Sequence, residues 1–245
     1  MSDPATNPAV LKLSRGARLT DDDRQALVGM LTQVREVAPR EDVIREGDAP
    51  EYVHVVLRGF AVRYKTLPDG GRQIMAWLIP GDFCDVHVAL LEAMDHSIAA
   101  LSACRIALIP KARIEALTLG RNGALNRALW WATLVDEGVL REWLVGMGRR
   151  PADQRIAHLI CELLHRLRVV GLAEGNRFDF PVSQEALADT VGLSAVHVNR
   201  VLQDLRHDGL ITLERGVLAV LDEPRLTAFA GFAPNYLHLT ARARD

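Results

Sequence analysis

The chain has 245 residues, with 29 Lys plus Arg against 31 Asp plus Glu and a formal net charge of −2. With 49% hydrophobic and 24% charged residues it is a globular chain rather than a disordered one, long enough for one large core or two ordinary ones. Bulk basicity is excluded as a route to nucleic acid: residues 149–245 hold 12 Arg and no Lys against 12 Asp plus Glu, so only local placement of arginines can serve that end.

The N-terminus, MSDPATNPAV, lacks the basic-then-apolar layout of a signal peptide, and a cytoplasmic location is expected. The longest apolar stretch, Ile74 to Ala93, is interrupted by Pro80, Asp82, Asp85, His87 and Glu92, so no membrane span is expected. Cys84, Cys104 and Cys161 form no closely spaced pair, which argues against a disulfide framework or a metal site.

In chain order, Thr20 is placed to cap a helix that begins Asp21-Asp22-Asp23 and occupies the 20–36 region, since acidic groups suit a helix start. From about 37 to 110 the texture changes to short apolar or alternating runs cut by glycine turns. "VHVVL" and "AVRYKTL" flank Arg58-Gly59-Phe60, and "PDGG" is a strong hairpin turn. Many short strands predict an antiparallel β-roll, jelly-roll-like, within an α+β fold.

From Lys111 to Met147 the spacing predicts helix. Leu125, Leu129, Ala132, Val135, Val139 and Trp143 repeat at steps of three and four, and Trp130, Trp131, Leu134, Leu140 and Leu144 widen the stripe. A helix apolar on two sides needs two partners, so the region 112–148 is expected to form a homodimer seam through Leu125, Leu129, Ala132, Val135, Val139 and Trp143. Gly146, Gly148 and Pro151 then mark a hinge, and Ile156, Leu159, Ile160, Leu163, Leu164 and Leu167 define a new amphipathic helix. The expected organisation is a sensor roll over 1–111, a dimerisation helix over 112–148 and a third unit over 149–245.

In that third unit Ser183 caps a helix with Leu187 and Val191 inward, Gly192 makes the turn, and Ser194 caps a second helix with Val198, Val201, Leu202 and Leu205 inward. Its opposite stripe is Val196, Asn199, Arg200 and Gln203. Arg can fork onto guanine, Asn and Gln can pair with adenine, and an apolar group can meet a thymine methyl. "DGLITLERGVLAVL" follows as two strands around Arg215-Gly216. Helix–turn–helix plus hairpin is a winged helix, and double-stranded DNA is the expected partner.

From about Thr20 to Leu221 the chain resembles the Crp/Fnr family of bacterial transcription regulators, most specifically in "PGDF" (Pro80 to Phe83), "QRIAHLI" and "VGLSAVHVNRVLQDLRHDGLI". The resemblance implies a cyclic-nucleotide-binding-type roll, a long dimerisation helix, a winged helix and RNA polymerase as a partner. It implies base contacts from Ala195, Val196, Asn199 and Arg200, and phosphate contacts from Ser194 and His197. Val196 departs from the glutamate common at its place, so a different operator is expected.

The sensor departs further. Where cyclic-AMP binders of the family carry Gly-Glu and Arg-Ser, this chain has Asp85-Val86 and His96-Ser97. Val86 accepts no hydrogen bond and His96 lacks the arginine fork, so cyclic AMP is not expected to bind. The N-terminal cysteine cluster of the oxygen-sensing branch is absent, and no iron–sulfur cluster is expected. Cys84, Asp85, His87 and His96 remain in the effector region. Ordinary burial and hydrogen bonding account for them best; a haem- or redox-responsive site through Cys84, His87 and His96 stands as the alternative, and a hydrolytic site of Asp85, His87 and His96 ranks below it.

Overall fold

The structure, a computed structural model, describes residues 3–86, 90, 92–119 and 123–239. A short helix α1 (Pro8–Leu13), capped by the Asn7 side chain, precedes α2 (Asp21–Met30). The Thr20 hydroxyl accepts from the Asp23 N–H while the Asp23 carboxylate accepts from the Thr20 N–H, a reciprocal cap. The helix expected through residue 36 stops at Met30, because Val34–Val37 pairs with a distant strand instead.

Among the described residues, eight strands build the roll: β1 (Val34–Val37), β2 (Asp42–Ile44), β3 (Tyr52–Arg58), β4 (Ala61–Thr66), β5 (Arg72–Leu78), β6 (Phe83–Cys84), β7 (Ser97–Ala100) and β8 (Cys104–Pro110). They form two antiparallel sheets, ordered β1-β8-β3-β6 and β2-β7-β4-β5. Consecutive strands β3 and β4 lie in different sheets, so the Arg58-Gly59-Phe60 corner carries the chain across the roll. The "PDGG" hairpin joins β4 to β5, with the Asp69 carboxylate accepting the Gly71 N–H at 2.9 Å. Val55, Ile106, Ala61, Leu78 and Ile98 fill the space between the sheets.

The "PGDF" turn has a physical reason at each residue. Gly81 has φ +95°, and a Cβ there would lie 2.6 Å from the Pro8 carbonyl oxygen, so only glycine lets α1 approach. Asp82 is 1% exposed, accepts the Ile79 N–H at 2.8 Å, and pairs with Lys12 at 2.7 Å and Arg166 at 2.6 Å. Phe83 enters the core.

Of the stretch expected as one helix over 112–148, the structure describes α3 (Lys111–Leu119) and α4 (Gly123–Arg149); residues 120–122 lie outside the description. The residues expected at the seam face the chain's own interior. Leu125, Leu129, Ala132, Val135 and Val139 are all buried within the chain itself, and Trp143 is half-buried against the same chain, donating its indole N–H to Glu162 at 2.9 Å. Their stripe packs on the roll, the winged helix and the C-terminal segment. The face of α4 left open carries Trp130, Leu134, Leu140 and Leu144, at 50%, 54%, 55% and 73% exposure.

Only Arg150 and Pro151 separate α4 from α5 (Ala152–Val169). The C-terminal unit continues through β9 (Ala173–Glu174), β10 (Arg177–Asp179), α6 (Gln184–Val191), α7 (Ala195–His207), β11 (Ile211–Glu214), β12 (Val217–Val220) and α8 (Glu223–Ala230), followed by a 3-10 turn, Pro234–Leu237. Its sheet has the order β11-β12-β10-β9, so the predicted wing hairpin sits at the edge of a four-stranded sheet.

At the expected hinge the two halves share one hydrophobic core: Phe60, Val62, Ile74 and Trp77 of the roll pack with Phe180, Leu187 and Val191 of the winged helix. Trp77 stacks on Phe180 at 5.7 Å and donates its indole N–H to the Thr190 hydroxyl at 2.9 Å, while Arg72 pairs with Asp189 at 2.8 Å. Any relative motion must therefore break a packed, hydrogen-bonded contact.

Candidate nucleic-acid interface and effector cavity

The helix–turn–helix forms by local rules. The Ser183 hydroxyl accepts the Ala186 N–H at 3.1 Å, α6 closes on left-handed Gly192, and the Ser194 hydroxyl accepts the His197 N–H at 3.3 Å. Val198, Val201, Leu202 and Leu205 lock α7 into the core. On the opposite side Val196 is 82% exposed and Arg200 and Gln203 are exposed, while Ala195, His197 and Asn199 are half-buried. An apolar group of that size standing in water at the start of a helix has no packing role in this chain. The Arg200 guanidinium donates to the His197 imidazole at 3.2 Å, which holds the fork along the exposed stripe. Arg206 folds back, its Nε donating to the Leu202 carbonyl at 3.2 Å.

A cavity of about 510 Å³ lies between the roll and α4. Of the sequence-predicted effector residues, Asp85, Val86 and His96 line it. Cys84 and Ser97 do not: Cys84 is buried in the roll core, and the Ser97 hydroxyl accepts the Glu46 N–H at 2.9 Å. His87 lies outside the described residues. Sequence reasoning missed Arg63 of β4 and Asp136 and Glu137 of α4, which three-dimensional packing brings from distant positions. Arg63 pairs with Asp85 and with Asp136, each at 3.1 Å, so the one arginine among the described lining residues is already held by two carboxylates. With Asp85, Asp95, Asp136 and Glu137 along the same wall, a phosphate meets a repulsive field.

Each ring nitrogen of His96 faces a carboxylate, Nε2 to Asp85 at 3.1 Å and Nδ1 to Asp95 at 2.7 Å. Burial disfavours the charged ring, but Asp85 and then Asp95 outweigh it and raise the His96 pKa above 6.5. Burial also works to raise the Asp85 carboxyl, and Arg63 with His96 outweighs it, holding that group below the usual range. A raised histidine stabilises fully below its unfolded pKa and loses that contribution as pH rises through the folded value. A depressed aspartate sets the acid limit, its contribution vanishing as pH falls through its folded value. The stability lost in His96→Gln is thus expected to be fully present below the ordinary histidine pKa and to shrink as pH rises through the raised folded value. Chemical denaturation at a series of pH values reads this, and a pH-independent difference would refute a charged clamp.

The three thiols are buried in separate elements, β6, β8 and α5. Burial raises the Cys84 thiol and pushes Cys104 up to about 11 and Cys161 up to about 12, so all three behave as small hydrophobes rather than as thiolate ligands. Among the described residues no three His, Cys, Asp or Glu side chains converge as a metal ion requires, and no helix is long and apolar enough to cross a membrane.

Comparison with known proteins agrees with this architecture. Residues 34–120 match the cyclic nucleotide-binding domain, and residues 154–229 match the Crp-like helix-turn-helix domain. The chain is 28% identical to the transcriptional activator protein FnrL of Cereibacter sphaeroides, over 86% of each chain. It is 29% identical to the nitrogen fixation regulation protein FixK of Bradyrhizobium diazoefficiens, over 78% of each. The solved structure of FixK2 from Bradyrhizobium japonicum shares the fold, with a TM-score of 0.73 at 24% identity over 82% of this chain and 98% of that one. The first of these relatives is named as a transcriptional activator and the second as a regulation protein, neither as an enzyme. With a cyclic-nucleotide-binding-type roll joined through a long helix to a Crp-like winged helix, the chain belongs to the Crp/Fnr family of transcription regulators.

Proposed function

We infer that the protein is a cytoplasmic, sequence-specific DNA-binding regulator that grips a palindromic operator as a homodimer and works with RNA polymerase. The observation that carries this reading is the exposed row Val196, Arg200 and Gln203 on a capped helix whose other face is wholly buried. Asn199 completes the base-reading set, with Ala195 beside it, and Ser183, Ser194 and His197 stand at the helix starts and the rim, where phosphate is met. Arg200 carries the dominant contact, because its fork matches the two acceptors of guanine.

Losing that contact is expected to cost ~1–3 kcal/mol per half-site and to relax the base preference there. Operator selection on random DNA with wild type and Arg200→Ala provides the test; the same motif at the same stringency from both would sink the assignment. Arg206→Ala, by contrast, is expected to weaken all sequences alike.

The roll serves as a sensor for something other than cyclic AMP. Arg63, the one arginine among the described lining residues, is committed to Asp85 and Asp136, and the carboxylates of Asp85, Asp95, Asp136 and Glu137 stand on the same wall, opposing a phosphate. Titration calorimetry with cyclic AMP is expected to give no micromolar isotherm, and operator affinity is expected to be indifferent to it. A micromolar isotherm would overturn this reading of the cavity.

A further inference from the structure

The segment after α8 leaves the winged helix and crosses to α4. Gly231, in the left-handed conformation, turns the chain, and Phe232 seats against His158 and His165 of α5 with ring centroids 5.1 and 5.0 Å away. Leu237, with no exposed surface, lies in the core with Val135 and Val139 of α4 and Ile79 of the roll. The Tyr236 ring stacks on His158 at 6.0 Å, and its hydroxyl donates to Glu162 at 3.0 Å. The same carboxylate oxygen accepts the Trp143 indole N–H of α4 at 2.9 Å, and the other accepts from Arg166 at 2.9 Å.

Backbone geometry makes this seat specific. A Cβ at Gly138 of α4 would stand 2.9 Å from the Tyr236 carbonyl oxygen, so the tail lies directly on the helix only because residue 138 has no side chain. One short segment therefore touches the helix that carries the open apolar face, the first helix of the winged unit and the roll. Beside it, the covalent joint between α4 and α5 is only Arg150 and Pro151.

We propose that residues 231–239 are a strap that sets the angle between α4 and the winged helix, and with it the separation of the two reading helices, Gly138 and Tyr236 being its positioning residues. The proposal rests on the operator-binding reading above. A strap of this kind acts on half-site spacing and leaves base preference within a half-site untouched, because α7 and its stripe lie elsewhere.

The discriminating variant is Gly138→Ala. Alanine improves α4 as a helix on the propensity scale, while displacing the Tyr236 carbonyl, so a purely local role and a strap predict opposite effects. Tryptic cleavage after the exposed Arg149, measured without DNA on the full chain, is expected to accelerate at least about fivefold. Discrimination against operators lengthened or shortened by one base pair is expected to fall from about tenfold in wild type to about threefold or less. Tyr236→Phe, which keeps the ring and removes only the hydroxyl, is expected to give a smaller shift in the same direction, about twofold, and serves alone if Gly138→Ala does not fold. Wild-type cleavage rates and wild-type spacing discrimination in the folded variants would overturn the strap. Failure of the wild-type protein to bind any palindrome would instead overturn the operator reading, and the cleavage assay would still decide the strap.

Discussion

Replacing Arg166 with methionine is expected to destabilise the folded chain by about 3–5 kcal/mol, the cost of leaving a buried charge without its partner. Arg166 lies between two carboxylates with almost no access to water, Asp82 at 2.6 Å and Glu162 at 2.9 Å, and also donates to the Trp77 carbonyl at 2.8 Å. Lys12 still serves Asp82, but Glu162, with no exposed surface, would keep only the neutral donors Trp143 and Tyr236. The effect is large because three elements meet there: the PGDF turn of the roll, α4 and α5.

Denaturant titration measures the loss, and an unchanged midpoint would refute it. Adding Glu162→Gln is expected to restore part of the stability, since it removes the orphaned charge. The pH dependence has a definite sign. Burial works to raise the Asp82 carboxyl, and Lys12 with Arg166 outweighs it and holds the group below its ordinary value. Its contribution is thus present above the unfolded pKa and disappears as pH falls through the folded one, so the deficit of Arg166→Met is expected to narrow on acidification.

The second large effect concerns α4. Aspartate at both Trp130 and Leu134 is expected to leave the chain folded and monomeric, whereas aspartate at Val139 is expected to unfold it. Trp130 and Leu134 are half exposed and stand in line with Leu140 and Leu144, so a second copy of the chain laid along this face would bury an apolar seam. Each such side chain contributes ~1.5–3 kcal/mol when fully buried, and a charge in its place reverses the sign. Val139 is 5% exposed in the chain's own core, and a carboxylate there has no partner. A monomer reaches one half-site at a time, so operator affinity in the double variant is expected to fall on the order of 100-fold or more. Light scattering and a thermal melt on each variant separate the outcomes. A double variant that stays dimeric would place the seam elsewhere.

The winged helix was legible in the sequence because its determinants are local. Ser183, Gly192 and Ser194 cap and turn within three or four residues of what they bond, and the inward spacing of Val198, Val201, Leu202 and Leu205 leaves one outer stripe for Val196, Arg200 and Gln203. The β4–β5 hairpin was legible for the same reason, through Asp69 and the glycines beside it. For α4 the sequence determined that two apolar faces exist. It did not determine which one the chain keeps for itself, since periodicity is symmetric between them; that choice is made by the roll, the winged helix and Leu237 closing over Val135 and Val139. The effector cavity was legible only in part. Asp85, Val86 and His96 could be aligned by the resemblance, but Arg63, which holds Asp85 charged, and Asp136, which pairs with Arg63 in turn, lie on another strand and on α4. Electrostatics depends on distance in space rather than along the chain, so the tertiary structure alone decided that the cavity's arginine is already neutralised.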